Sequence, residues 1–322
     1  MTLGFVGDSP PATAAFLRRP RAIAMALAAT LVVAAPGCGR SGASGAVITS
    51  PSSPPPPSGS LCTARVNPAP GPVLDPNGPM FHQIVLARSS DGISVSDARI
   101  VQPAASVPDG VRAADGRVLV YYVNGAQHGV WVGTATAGSW SPVGPISVDG
   151  IPDPLGIVDP DAYRVGDRIR LAYLSNFPGQ SQRAICLAES EDGRSFRTLG
   201  LAVDLRSAGT ITDPSVVQLP NGSWLMALSA GQTTRLARST DGLSFTLGET
   251  LTFGGVPELA IAEDGAVRLY VCAAGIVAYR SSDAVSWQRE QTVVTRGPNG
   301  SMLVCDPSRV AGTDMFVFKT GM

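Results

Sequence analysis

This 322-residue sequence has almost no net charge, only two histidines and no closely spaced cysteines. Lysine and arginine together number 24 against 25 aspartates and glutamates, so the chain has no basic excess to attract nucleic acid or an anionic membrane. The two histidines, His82 and His128, lie in no recognisable Ser–His–Asp motif, and we expect both on loops or at the surface. No two cysteines form a CxxC pair, which disfavours a zinc site, and we expect neither a metal nor a cofactor.

The N-terminal apolar run is too short to cross a membrane. In "RRPRAIAMALAATLVVAAPGC" the run covers residues 22–35, about 14 residues where a transmembrane helix needs about 20. A basic segment followed by a run of this length is typical of a signal peptide. The Gly37-Cys38 pair at its end resembles the lipobox of bacterial lipoproteins, which implies cleavage before Cys38 and lipidation of that residue. An ordinary secretory signal is the alternative, and both predict an extracytoplasmic protein.

We expect three regions, a leader over 1–38, a spacer over 39–60 and a globular domain over 61–322. The spacer, "GRSGASGAVITSPSSPPPPSGS", is too rich in Ser, Gly and Pro to bury a core. It would hold a monomeric domain off a membrane that the protein touches only through its lipid anchor. Export permits disulfides, and three pairings are open to the four cysteines of the domain. These are Cys62, Cys186, Cys272 and Cys305.

Glycine (36), proline (27) and apolar residues (44%) are abundant, a composition that favours short strands joined by tight turns. A unit Ser-x-Asp-Gly-x-Ser recurs in "RSSDGISV", "ESEDGRSF" and "RSTDGLSF", and with alanine for glycine in "RSSDAVSW". A degenerate member, "TATAGSW", fills the gap between the first two, and successive units lie 42–56 residues apart. Five units of this length match the period of four-stranded blades, so we predict an all-β, five-bladed β-propeller.

The repeated unit itself is predicted to be structural. Ser and Asp side chains bind nearby backbone N–H groups in turns, and Gly permits the positive φ that such turns require. We expect the closing Phe or Trp to pack between neighbouring blades. The unit resembles the Asp-box of sialidases but is one residue shorter, and the absence of an arginine triad disfavours a sialidase.

The two ends of the domain are predicted to share one blade. "VCDPSRVAGTDMFVFKTG" supplies only an inner strand and its partner, whereas "FHQIVLARSSDGISVSDARIV" supplies only an outer hairpin. Together they make four strands, which would close the ring.

The predicted inner strands all begin with a carboxylate beside a proline. The starts are "SVPDGV", "GIVDPDAY", "TITDPSVV", "GGVPELAI" and "LVCDPSRV". Proline suits the first positions of a strand because it fixes φ and lacks an N–H. The carboxylate–proline pairs therefore have two interpretations, as signals for the start of a strand alone or as a site where the carboxylates converge. The five carboxylates are Asp109, Asp159, Asp213, Glu258 and Asp306.

The succession of two Asp-Pro starts and then a Glu resembles the five-bladed propeller glycosidases of families 43 and 32. The resemblance implies a catalytic trio on successive blades, with Asp159 as base, Asp213 as the orienting and tuning residue and Glu258 as acid. The substrate-binding residues that we expect are Asp109, Asp306 and Arg112.

Two further sets of residues have competing interpretations. Asp75, in "LDPNGPM", is similar to the nucleophile motif of family 32, but we interpret it as a turn residue. Four aromatic residues could contact a sugar, although blade core is the stronger expectation for each. They are Tyr121, Tyr163, Phe177 and Trp224.

The function that follows is inverting hydrolysis of glycosidic bonds in poly- or oligosaccharides. Such a reaction needs a protonated and an ionised carboxyl about 6.5–9.5 Å apart, and inner strands that converge on a channel can provide them. The alternative is a non-catalytic propeller that binds a carbohydrate or a protein partner at the channel mouth.

Overall fold

A computed structural model describes residues 60–63, 74–75, 77–152, 156–175, 183–206 and 208–322. The predicted leader with Cys38, the spacer up to residue 59, and Phe177 lie outside these residues. Within them, no helix has the length and hydrophobicity to cross a membrane.

Five β-sheets of four main strands each are arranged as blades. Blade 1 contains β3 (Ala105–Arg112), β4 (Val118–Asn124), β5 (Val130–Ala135) and β6 (Trp140–Pro145). Blade 2 contains β9 (Val158–Val165), β10 (Arg168–Ser175), β11 (Ala184–Ser190) and β12 (Ser195–Asp204), and the short β7 (Ser147–Val148) and β8 (Ile151–Pro152) extend its outer edge. Blade 3 contains β13 (Thr212–Gln218), β14 (Trp224–Ala230), β15 (Thr233–Ser239) and β16 (Thr246–Leu251).

Blade 4 contains β17 (Gly255–Ile261), β18 (Val267–Ala273), β19 (Gly275–Ser281) and β20 (Gln288–Val294). Blade 5 is built from both ends of the domain, with β21 (Val304–Arg309) and β22 (Met315–Gly321) followed outward by β1 (His82–Arg88) and β2 (Ser96–Pro103). A turn of helix, α1 (Ser60–Thr63), and a 3-10 turn, η1 (Pro79–Phe81), precede the ring.

The ring closes through the antiparallel pair of β1 and β22. Their register runs without a break from His82 opposite Gly321 to Arg88 opposite Met315. The predicted all-β, five-bladed propeller with one blade shared by the two ends is therefore confirmed. The reason is physical, because each terminal hairpin has an unpaired edge that the other one satisfies.

The core lies between the blades, and aromatic residues connect neighbours. Tyr121 of blade 1 meets Phe196 of blade 2 edge-to-face, with ring centroids 5.9 Å apart. Its hydroxyl donates to the carbonyl of Gly193 at 2.7 Å, and Tyr270 of blade 4 donates in the same way to Gly92 of blade 5. Phe196, which closes a repeated unit, packs between blades as predicted, and Tyr121 is a core residue.

The repeated Ser-x-Asp-Gly-x-Ser unit forms the same turn in four blades. In blade 3 the carboxylate of Asp241 accepts the N–H groups of Leu243 and Ser244 at 2.8 and 3.1 Å, and Gly242 has a φ of 69°. These backbone hydrogen bonds lower the pKa of Asp241 to about 2. The carboxylates of Asp91, Asp192 and Asp283 each accept two equivalent N–H groups. The predicted structural role of the unit is confirmed.

All four cysteines of the domain form disulfides. Cys62 is bonded to Cys186 and ties α1 to β11, while Cys272 is bonded to Cys305 and ties blade 4 to the closing blade. This is one of the three pairings that the sequence left open. The Cα–Cα distances are 5.7 Å for Cys62–Cys186 and 5.3 Å for Cys272–Cys305, both within the usual range for a disulfide.

Replacing both Cys272 and Cys305 with serine should lower the free energy of unfolding by about 3–4 kcal/mol. The bond joins residues 33 positions apart, and a loop of that length removes roughly this much chain entropy from the unfolded state. Denaturant unfolding of the double variant, beside the oxidised and the reduced wild type, measures the effect. An unfolding midpoint equal to that of the oxidised wild type would contradict the expectation.

Candidate active site

The inner strands begin with one shared unit, X-Pro-Y, which sets the geometry at the centre of the ring. All five X residues have left-handed backbone, with φ between 46° and 52°. Such φ values are tolerated by Asp but are outliers for β-branched valine, so the ring holds two strained residues at its axis. The X residues are Val107, Asp159, Asp213, Val256 and Asp306, and the Y residues are Asp109, Asp161, Ser215, Glu258 and Ser308.

The carboxylates beside prolines are therefore not equivalent. All five adjoin a proline, yet Asp159 and Asp213 precede it whereas Asp109 and Glu258 follow it. The structure separates them along the axis into an upper layer, made of the X residues at the strand starts, and a lower layer, made of the Y residues.

The lower layer is closed by a cyclic set of hydrogen bonds. Each Y side chain accepts the N–H of the residue that follows Y in the next blade, at 2.5–3.2 Å. Two serines complete the layer, because Ser308 donates its hydroxyl to Asp109 at 2.7 Å and Ser215 donates to Glu258 at 2.8 Å. The lower layer thus joins all five blades around the axis.

Three carboxyls of the lower layer share one small space. One oxygen of each of Asp109, Asp161 and Glu258 lies within 4.8 Å of the others, and the residues are only 5–7% exposed. Burial raises the pKa of Asp109 to about 7, and burial and the neighbouring carboxyls hold those of Asp161 and Glu258 well above their usual ranges. The three could ligate a cation together, but their spacing is shorter than an inverting pair requires.

The upper layer contains a buried ion pair. Lys319, from β22, lies 2.7 Å from Asp306, which also accepts the N–H of Val107. Beside them Asp159 accepts the N–H of Asp213 at 3.4 Å. Asp159 and Asp213 are partly exposed, whereas Asp306 is 4% exposed.

The pKa values of the upper carboxyls differ from one another. Burial, and then the charges of Asp213 and Asp306, raise the pKa of Asp159 well above its usual range. Burial and Asp306 raise the pKa of Asp213 to about 6. Burial also lowers the pKa of Lys319, but the three carboxylates raise it by more, so the ammonium remains charged at neutral pH.

The three residues assigned to catalysis by resemblance all line one cavity of about 20 Å³, but Asp159 and Asp213 belong to the upper layer and Glu258 to the lower layer. The charges that act on Asp159 come from Asp213, Asp306 and Lys319, all in the upper layer. Those that act on Glu258 come from the lower layer. Of the expected substrate-binding residues, Asp306 lies in the upper layer and Asp109 in the lower layer, while Arg112 lies beyond it at the end of β3.

Several residues at the centre were not singled out from the sequence. Asp161 carries a visible signal, since it follows Pro160 as Asp109 and Glu258 follow their prolines. Lys319 carries none, because it reaches the upper layer only through the closure of the ring.

The expectation for His82 is wrong. It is 3% exposed in β1, where its Nδ1 lies 3.0 Å from the hydroxyl of Ser106, and burial and the charge of Lys319 lower its pKa to about 4. His128 lies on the turn between β4 and β5, as expected.

Asp75 is confirmed as a turn residue, because its carboxylate accepts the N–H of Asn77 and its carbonyl accepts the N–H of Gly78.

A pocket of about 390 Å³, here called the lower pocket, opens below the lower layer at the ends of the inner strands. Asp161 and Glu258 form its floor, and Tyr163 and Trp224, with ring centroids 5.8 Å apart, form part of its wall. Only about 20 Å³ of space separates the two layers, room for roughly one water molecule. The upper layer and the lower pocket are therefore distinct sites. The polar side chains around the pocket are Arg112, Arg164, Gln218 and Arg309.

Comparisons with known proteins support the fold. No protein-family model matches the chain, and a search of curated proteins finds no match. A solved protein of unknown function from Dyadobacter fermentans is similar over 83% of this chain and 89% of its own, with a TM-score of 0.54 and 18% identity.

Two solved glycoside hydrolases are similar at comparable levels. A family 117 enzyme from the marine bacterium Zobellia galactanivorans has a TM-score of 0.51 and 13% identity over 76% of this chain and 91% of its own. A thermostable family 43 enzyme has a TM-score of 0.52 and 14% identity over 66% and 82%. At such identities the likeness establishes the propeller fold alone.

Proposed function

We propose that this protein hydrolyses glycosidic bonds and that the reaction takes place at the upper layer. The observation that carries the proposal is the pair of partly exposed carboxyls, Asp159 and Asp213, on adjacent inner strands. Glycoside cleavage needs one carboxyl that keeps its proton and one that is ionised, and the environments of these two move their pKa values apart.

In this proposal Asp159 is the acid and Asp213 the carboxylate that activates water or attacks the sugar. With a pKa of about 6, Asp213 is mostly ionised at neutral pH, while Asp159 retains its proton. The resemblance assigned the base to Asp159 and the acid to Glu258, and the electrostatics favour the new assignment. Lys319 and Asp306 act as positioning residues, because their ion pair fixes the charge beside both reacting carboxyls.

The proposed substrates are poly- or oligosaccharides outside the cytoplasm. The signal-like leader and the lipobox-like Cys38 support a lipoprotein on the cell envelope, which we take to act as a monomer. The two disulfides agree with that placement, because such bonds persist in oxidising compartments.

Purified protein should hydrolyse at least one member of a panel of aryl glycosides and arabinan or xylan oligosaccharides. The activity, as kcat/KM, should fall below about pH 6 as Asp213 becomes protonated, and Asp213→Asn should remove it. Asp167→Asn, an exposed change on the turn between β9 and β10, is the matched control. Equal activity of the Asp213 and Asp167 variants would contradict the proposal.

A non-catalytic propeller that binds carbohydrate or a protein partner is the second candidate. One observation favours it, namely that each lower-layer carboxyl accepts a backbone hydrogen bond from the next blade, a structural role that needs no substrate. Absence of turnover on the whole panel, combined with measurable sugar binding, would support this candidate instead.

A further inference from the structure

The lower pocket is built from groups that the proposed reaction does not use. Its volume of about 390 Å³ lies within the range of small-molecule sites, roughly 300–1,000 Å³. The space between the two layers admits no more than about one water molecule, so a ligand in the pocket cannot reach Asp159 or Asp213. Any ligand that it binds is therefore bound independently of the reacting pair.

Three arginines at the pocket have no carboxylate partner among the described residues. Arg309 is half-buried, and its Nη1 donates to the carbonyls of Val310 and Met315, which fix the guanidinium in place. Arg112 is exposed, and within the part of the chain that the structure describes it donates to the carbonyl of Gly312 alone. Arg164 is exposed on β9 and forms no ion pair with any residue that the structure describes.

The carboxyls of the pocket floor do not neutralise these arginines. Asp161 and Glu258 are buried against each other and against Asp109, which favours their protonated forms at neutral pH. As neutral acids they present O–H donors to a ligand instead of negative charge. The pocket thus combines positive charge at its rim with hydrogen-bond donors at its floor.

The surroundings fit a sugar ring better than a bare anion. Tyr163, Trp224 and Leu259 give the pocket an apolar side, and Gln218 adds a donor and an acceptor. A groove of about 850 Å³ between blades 4 and 5 adjoins the pocket and shares Arg309 with it, which leaves room for a chain to continue. The two other arginines of that groove are already paired, Arg268 with Glu290 and Arg280 with Asp264, so the arginines left for an anion are those of the pocket, Arg309 included.

We propose that the lower pocket binds a carboxylate-bearing carbohydrate, with a uronic-acid residue held by Arg112, Arg164 and Arg309. Guanidinium groups match the planar carboxylate by paired hydrogen bonds, and the floor acids and Gln218 donate to the sugar oxygens. The class of sugar rests on the proposed carbohydrate function, whereas the preference for an anion rests on the pocket alone.

Calorimetric titration of the whole protein with trigalacturonate tests this proposal, with neutral galactotriose as the matched sugar. We expect binding of the acidic trimer, at least tenfold weaker binding of the neutral one, and at least tenfold loss for the acidic trimer in the double variant Arg112→Gln, Arg164→Gln. The double variant Arg99→Gln, Arg296→Gln removes the same charge outside the pocket, from a partly exposed site at Arg99 and an exposed site at Arg296, and should bind as wild type does.

Three results would overturn the proposal. These are no binding of trigalacturonate, binding that the pocket variant leaves unchanged, and equally tight binding of inorganic sulfate, which would indicate a general anion site. Asp159→Asn should bind trigalacturonate normally whether or not the protein is a hydrolase, so failure of the catalytic proposal and failure of this one can be told apart.

Discussion

Asp159→Asn is expected to lower kcat/KM for glycoside hydrolysis by about 10²–10⁴-fold, the contribution typical of a positioned general acid. The asparagine keeps the size of the side chain and the acceptor for the N–H of Asp213, but it has no proton to give to the leaving group. The KM should change little, because the substitution removes an interaction that forms only as the bond breaks.

Glu258→Gln is the informative comparison for that prediction. Glu258 also lies among carboxyls and is more buried than Asp159, and the resemblance to family 43 gave it the acid role, yet it lies in the lower layer. We expect this variant to retain most of the activity. A loss in Glu258→Gln that exceeds the loss in Asp159→Asn would return the acid role to Glu258 and contradict the assignment made from the upper layer.

Stability should fall as pH rises from about 4 to about 7, and Asp109 should account for much of the change. Its pKa is about 7 in the folded protein against an ordinary value of 3.8, so the folded state binds the extra proton throughout that window. The stabilisation is fully present below pH 4 and is lost as pH approaches 7. A shift of this size corresponds to at most roughly 4 kcal/mol. Asp161 and Glu258 have pKa shifts in the same direction and add to the loss.

Denaturant unfolding at a series of pH values measures this effect. Asp109→Asn should flatten the dependence, because an amide cannot ionise and can still accept the N–H of Ala162. Asp167→Asn, on an exposed turn, should leave the slope unchanged. His82, whose lowered pKa makes stability rise with pH between about 4 and 6.5, affects the wild type and the variant alike, so an Asp109→Asn variant with the same pH dependence as the wild type would contradict the prediction.

The fold could be predicted because its turns and strands are determined by residues that are close together in the sequence. The turn around Asp241 and its three counterparts is formed by residues within three positions of one another, and the strands between turns follow from short apolar runs. Blade closure was also accessible, because the incomplete hairpins at the two ends of the domain are each visible in the sequence. The disulfide pairing was not, since residues 124 positions apart meet only in the finished ring.

The site was less predictable because the carboxylate before a proline and the carboxylate after it, two positions further along the strand, belong to different layers. Asp159 and Glu258 both adjoin a proline, but Asp159 precedes its proline and Glu258 follows its own. The residue before each proline has left-handed backbone, and the side chains before and after the proline therefore take part in different sets of hydrogen bonds. The carboxylate–proline pairs thus identified the inner strands, but they did not show which carboxylates share a layer. Lys319, which controls the charge of the upper layer, comes from a strand that carried no functional signal.

A crystal structure of Asp159→Asn with a neutral oligosaccharide that the wild type hydrolyses would test the central claim most directly. We expect a glycosidic oxygen within about 2.6–3.2 Å of the side chain at position 159, with Asp213 facing the same sugar ring. An ordered sugar found only in the lower pocket, with the upper layer free of it, would contradict the claim that the upper layer is the site of reaction.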